Sequence, residues 1–343
     1  MDGMNKACDK SGQVNIGRYP GGCVDKAMTL NERISPEDSE FERGHGKPLR
    51  IGVGIATCGR PQVLSKTLTA LKQQTRLPDA IGVCAPSRLD TGDLSREHSV
   101  RILIGPNGLC HQRNAILEAL IDLDIIIFFD DDFVPEAQYV EKIETLFRTD
   151  NAIVMATGSL LADGILGPGI TFNQAMETLE SSRSFSSHAG LNCARKVEDI
   201  YNCYGCNMAI RLQPVRTHNV RFDEALPRYS WLEDVDFSRQ LAAHGRIVKA
   251  MGTYGVHLGV KSGRMPGHNL GYSQIANPVY LSRKKTLAWH RALYIMAHNL
   301  TSNTFKSIWP EAYIDRRGRL LGNIRGIIDL LMGRLHPQKV LKT

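Results

Sequence analysis

Ile125-Ile126-Ile127-Phe128-Phe129 runs without a break into Asp130-Asp131-Asp132. Five apolar residues with no alternation read as a short strand covered on both faces. Three adjacent carboxylates repel one another, so a fold tolerates them cheaply only in water or around a cation. Directly after a buried strand they cannot all reach bulk water. Their hard oxygens suit Mg²⁺ or Mn²⁺, and Mg²⁺ takes one or two protein carboxylates and completes its shell with phosphate and water. An acidic surface turn is the competing explanation, and the triplet alone leaves both open.

Upstream, the same pattern repeats. Ile51–Ala56 is an apolar run ending at Thr57-Cys58-Gly59-Arg60-Pro61, a strand and a turn, with Pro61 suited to the first turn of a helix. Val63, Leu64, Leu68 and Leu71 give that helix an apolar face. Ile81–Ala85 and Val100–Ile104 read as two further strands, and Asn114–Leu120 as a helix. Strands alternating with helices predict an α/β domain with a mostly parallel, doubly wound sheet. Ligands bind such sheets beyond the carboxyl ends of the strands, where Thr57, Arg60 and the three aspartates fall.

A second acidic cluster lies in Trp231-Leu232-Glu233-Asp234-Val235-Asp236-Phe237, ahead of a predicted helix over Ser238–His244 that stops at Gly245. Carboxylates at a helix start complement the macrodipole. They also suit a general base with a hydrogen-bonding partner.

Composition sets the frame. The 343 residues are 42% hydrophobic and 22% charged, as in an ordinary globular protein with ample core material. The net charge of +7 is concentrated near the C-terminus: residues 281–343 hold twelve Lys or Arg against three Asp or Glu. Such a segment attracts polyanions. Zinc-finger spacing, a helix-turn-helix signature and RNP aromatics are all absent, so sequence-specific nucleic-acid binding is not expected. The eight cysteines read as reduced thiols. Cys203-Tyr204-Gly205-Cys206 has zinc-knuckle spacing, but its candidate partners His188 and Cys193 are not cleanly spaced. The chain lacks an N-terminal apolar run and any stretch near the roughly 18–20 residues of a membrane span, so the cytoplasmic side is the expected location. Residues 1–48 carry no sustained period and read as a poorly ordered tail.

Taken in order, six segments resemble the inverting family 2 glycosyltransferases of the GT-A fold. They are Gly54–Pro61, Gly108–Asn114, Phe129–Asp132, Gly205–Arg211, Phe222-Asp223-Glu224 and Glu233–Asp236. The resemblance covers roughly residues 49–260 and implies a GT-A catalytic domain, a nucleotide-diphospho-sugar donor and a divalent metal. It implies that Asp130 and Asp131 lie on the donor side with Thr57, Arg60 and Arg113, that Asp132 ligates the metal, and that Asp234 is the base, aided by Glu233. His257 matches a later histidine that contacts metal or diphosphate, although a lone His in an apolar run is more often a core residue. The turn after the second strand, Cys84-Ala85-Pro86-Ser87, lacks the family's carboxylate, which puts a uridine donor in question.

Residues 261–343 read as a helical, basic extension on the acceptor side. Leu320, Leu321, Ile324, Ile327, Ile328, Leu331 and Leu335 share a helical face, surrounded by Arg316, Arg317, Arg319, Arg325 and Arg334. A basic amphipathic helix can lie on an anionic membrane surface or pack on its own domain. Trp289, Tyr294 and Trp309 read as core residues or as acceptor-site walls. The expected acceptor is a saccharide or a lipid-linked molecule, in polysaccharide or glycoconjugate synthesis. With no Gln-x-x-Arg-Trp motif, the chain does not read as a processive synthase. Two rivals remain: a sugar nucleotidyltransferase, which wants a longer Gly-rich basic loop after the first strand, and a non-catalytic relative, which wants one acidic cluster lost.

Overall fold

A computed structural model describes residues 48–96, 100–186, 196–263 and 265–342. The expected tail up to residue 47, and the zinc candidates His188 and Cys193, lie outside them.

The described strands form one nine-stranded mixed sheet. In chain order they are β1 (Ile51–Ala56), β2 (Ala80–Ala85), β3 (Val100–Ile104), β4 (Ile125–Asp130), β5 (Phe133–Pro135), β6 (Ile153–Asp163), β7 (Val197–Asp199), β8 (Asn207–Arg211) and β9 (Arg246–His257). Their spatial order is β3-β2-β1-β4-β8-β6-β9-β5, with β7 paired to β9. The first four are parallel, as expected. β8 is antiparallel to both neighbours, so the sheet is less parallel than the apolar runs suggest. This reversal brings the Gly205–Cys206 turn to the carboxyl edge of β4, where Asp130 N–H donates to the Cys206 carbonyl at 3.1 Å.

Both faces of the sheet are covered. Ile51, Val53 and Ile55 of β1 and Ile125, Ile127 and Phe129 of β4 share one core with Leu64, Leu68 and Leu71 of α1 (Pro61–Lys72). Tyr139, Ile143 and Phe147 of α3 (Tyr139–Thr149) join it. The alternate residues Ile126 and Phe128 pack with Ile116 and Leu117 of α2 (Leu109–Ala119), and with Val235 and Phe237 of α6 (Glu233–Leu241). Continuous apolarity in β4 follows from this two-sided burial.

Two helices start earlier than periodicity predicts. α2 opens at Leu109, whose N–H bonds to the Arg228 carbonyl at 2.8 Å. α6 opens at Glu233, so the second acidic cluster forms its first turn, preceded by Leu232 at φ 74°. Arg228 and Ser230 are also left-handed, at φ 57° and 52°. Such non-glycine residues cost roughly 1–3 kcal/mol each. Ser230 Oγ helps hold the turn by donating toward the Leu226 carbonyl at 2.7 Å.

α4 (Phe172–Ser186) and α5 (Leu212–Thr217) lie between strands, and after the sheet come α7 (Gly267–Lys284), α8 (Trp289–Lys306) and α9 (Arg316–Leu331). α7 and α9 cross so closely that a Cβ on Gly271 would sit 2.0 Å from the Arg319 carbonyl oxygen. A Cβ on Gly322 would sit 2.0 Å from that of His268. The inward face of α9 is Gly322, Asn323, Gly326 and Asp329, together with Arg316 at its start. Arg316, expected at the rim of an apolar face, is buried and paired with Glu311 at 2.9 Å. Leu321, Ile324, Ile328 and Leu331 instead point outward. Trp289, Tyr294 and Trp309 are exposed as well, which overturns a core role for them.

Candidate active site

The acidic triplet divides its labour. Asp131 is fully buried and turned back toward β1. It accepts from Thr57 Oγ1 at 2.7 Å and pairs with Arg60 at 2.6 Å, while Thr67 Oγ1 donates to its carbonyl. Burial pushes its carboxyl up to about 7, against the opposing charge of Arg60. Asp131 thus fastens the loop after β1 to the end of β4. Asp130 and Asp132 face the other way and form, with His257, a group whose ligand atoms all lie within 4.8 Å of one another.

His257 ends β9 beside two carboxylates. Its Nε2 lies 3.4 Å from Asp132 and its Nδ1 2.9 Å from Asp163, the last residue of β6. Burial opposes charge on the ring, but Asp132 first and Asp163 second outweigh it and push the imidazole up to about 10. Tyr204 Oη donates to the other Asp163 oxygen at 3.0 Å. Asp132 also accepts from the Val260 N–H at 2.8 Å, and Arg60 approaches it at 3.6 Å. Despite burial, His257, Arg60 and that N–H hold its carboxyl well below the usual range.

The second cluster joins the first through Arg113, a fully buried guanidinium on α2. It bonds to Glu233, to Asp130 at 3.1 Å and to the Gly205 carbonyl at 2.8 Å. Asp234 accepts from the Gly205 N–H at 3.0 Å and the Val235 N–H at 2.8 Å. A Cβ on Gly205 would lie 3.0 Å from the Glu233 carboxylate and 3.5 Å from that of Asp234, so a side chain there would press on Glu233. Burial pushes Glu233 up to about 8; Asp234 adds to this and Arg113 opposes it. Burial raises Asp234 too, against its two backbone N–H bonds. Adjacent carboxylates of this kind share protons as a pair.

No protein-family model and no curated protein sequence matches this chain. Solved structures do. The crystal structure of Staphylococcus aureus TarS 1–349 superposes with a TM-score of 0.50 at 12% identity, covering 85% of this chain and 82% of that one. The fold is that of the GT-A glycosyltransferases. The mannosyltransferase PcManGT from Pyrobaculum calidifontis, in complex with GDP-Man and Mn²⁺, matches at TM-score 0.48 and 12% identity over 86% of this chain and 85% of that one. A longer TarS structure matches at TM-score 0.45 and 12% identity over 61% of this chain, which spans only 37% of its length.

Thr57, Arg60 and Asp130–Asp132 lie at or just past the carboxyl ends of β1 and β4, Glu233 and Asp234 open α6, Arg113 lies on α2 and His257 ends β9. Thr57, Arg60 and Asp131 form one buried knot; Asp130, Asp132 and His257 form the metal-capable group; Arg113, Glu233 and Asp234 complete the edge. Sequence reading missed Asp163, Tyr204 and the Gly205 N–H. Leu160-Leu161-Ala162-Asp163-Gly164 carried a signal: an apolar run ending in a carboxylate and a turn, like the one at Asp130.

Proposed function

We propose that this protein is a metal-dependent inverting glycosyltransferase, with residues 49–260 as its catalytic part. It moves a sugar from a nucleotide-diphosphate donor to a saccharide or lipid-linked acceptor in polysaccharide or glycoconjugate synthesis. The observation that carries this reading is the link through Arg113 between a metal-capable Asp130–Asp132–His257 group and the Glu233–Asp234 pair.

Two carboxylates and one imidazole, close together and largely buried, fit Mn²⁺ or Mg²⁺ better than a softer ion. A cation held there would supply Lewis-acid stabilisation to the diphosphate leaving group. Asp163 orients His257 so that Nε2 faces the ligand group. Thr57 and Arg60, both bonded to Asp131, would shape the donor side by holding the loop after β1 against the end of β4. Asp234 takes the proton from the attacking acceptor hydroxyl. Its two N–H bonds fix the carboxylate's direction and leave each oxygen a second lone pair. Glu233, locked by Arg113, keeps the first turn of α6 in register with the metal group. Attack opposite the departing diphosphate inverts the anomeric centre, as with the base of inverting glycosidases. The rival nucleotidyltransferase reading lacks a built basic loop after β1, since Arg60 is already committed to Asp131 and Asp132.

Thermal-shift screening of nucleoside diphosphates with Mn²⁺ and Mg²⁺ tests the proposal, because a ligand that binds only the folded state raises the melting temperature. A shift with one nucleotide that requires the metal is expected. No shift with any nucleotide in either metal would reject the reading.

A further inference from the structure

The C-terminal helices leave a broad apolar face uncovered. α9 turns Gly322, Asn323, Gly326 and Asp329 inward, packs Ile327 and Leu330 on the Tyr272–Ile275–Val279 cluster, and leaves Leu321, Ile324, Ile328 and Leu331 outside. Its Asn323 donates to the Gly271 carbonyl at 2.7 Å, and Asn303 donates to Asn323 and Gln274 at 2.8 Å each. Outside, Leu321 is 61% exposed and Leu331 82%. In water this arrangement wastes apolar surface; small residues and polar contacts inside with apolar residues outside suit helices that meet lipid. Among the described residues no helix is long and apolar enough to cross a membrane. The outward face is therefore suited to lying on a bilayer rather than spanning one.

Charge selects the occupant. Residues 281–343 carry twelve basic side chains against three acidic ones; Lys284, Lys306, Arg316, Arg334 and Lys339 are paired with carboxylates, and the segment keeps a net positive charge beyond those pairs. Two copies pairing through this face would bring like charge together, whereas an anionic headgroup layer would attract it. Trp309, 83% exposed, adds an indole of the kind that settles at headgroup depth. Arg317 donates to the carbonyl of Ser307, two residues before Trp309 in the chain, at 3.2 Å.

We infer that the outward face of α8 and α9 docks on an anionic lipid bilayer. α7 transmits this placement to the catalytic edge. Asn277 donates to the Trp231 carbonyl at 2.7 Å, and Lys284 pairs with Asp236 at 2.7 Å and with Asp223 at 2.6 Å. Bilayer docking itself does not depend on the transferase reading; delivery of lipid-linked acceptors to Asp234 does.

Flotation of the full chain with phosphatidylcholine vesicles, with and without phosphatidylglycerol, tests the inference. Binding is expected to the anionic vesicles and to weaken with added salt. The exposed-site variant Leu321→Gln/Ile324→Gln/Leu331→Gln should bind at least about tenfold more weakly. Its circular dichroism and metal-dependent nucleotide shift should be unchanged. Absence of flotation with anionic vesicles would overturn the inference, as would flotation undiminished in the variant. A dimer that the same variant converts to monomer, without vesicle binding, would assign the face to a second copy. No metal-dependent nucleotide shift in the unsubstituted chain, with its flotation intact, would instead count against sugar transfer alone.

Discussion

Asp163 and His257 are register partners at the ends of the parallel strands β6 and β9, and their side chains meet at 2.9 Å. Two chain segments 94 residues apart thus fix which imidazole nitrogen faces Asp132. Removing such a supporting carboxylate typically costs 10–100-fold in metal affinity. Asp163→Asn should weaken Mn²⁺ binding by about that factor, read by calorimetric titration of the folded variant. Equal affinity in the variant and wild type would mean His257 needs no such support.

Asp234 sits one residue from Glu233 but has different partners: two backbone N–H groups rather than a guanidinium. Asp234→Asn preserves the shape of the α6 first turn and removes the base. Turnover should fall by about 10²–10⁴-fold, with the metal-dependent nucleotide shift retained. Full turnover in the variant would move the base elsewhere.

Much of this site was legible because strand ends announce themselves. An apolar run that stops at a carboxylate places that carboxylate at the sheet edge, which located Asp130, Asp131 and Asp132. What linear reading could not show is direction. Asp131 and Asp132 are adjacent, yet one is turned back to brace Thr57 and Arg60 while the other faces His257. That choice depends on β5, which pairs Phe133 with His257 and so sets the rotation of the chain after the triplet. The antiparallel insertion of β8 was hidden for a similar reason. Its burial pattern is that of a parallel interior strand, because both its faces are covered too. The direction of α9 misled in the opposite sense: its apolar stripe was plain in the sequence, but the glycines that let α7 approach lie on the other side of the helix.

Arg113 is shared by the metal-capable group and the Glu233–Asp234 pair. Truncation leaves Glu233 buried without its partner, and breaking a buried ion pair from one side costs about 3–5 kcal/mol. Arg113→Met should lower the stability measured by urea unfolding by that order. The double variant Arg113→Met/Glu233→Gln should recover part of the loss, since the orphaned charge is gone. Additive losses in the double variant would show that the two side chains do not act as a pair.

Asp329 links α9 to the helix and turn behind its outward apolar face. Burial works against its charge, but Lys339 at 3.0 Å, Arg334 at 2.6 Å and the Tyr272 hydroxyl at 2.9 Å outweigh it and hold its carboxyl down at about 2. An unfolded Asp titrates near about 3.9. A depressed carboxyl stabilises the fold above the unfolded value and loses that contribution as pH falls toward the folded one. Asp329→Asn should therefore lower the urea midpoint clearly at neutral pH. The gap to wild type should narrow as pH drops from about 4 toward about 2 and close below that, where both chains carry an uncharged side chain at this position. A gap that stays constant across that range would show that packing at residue 329, rather than its charge, ties α9 to α7.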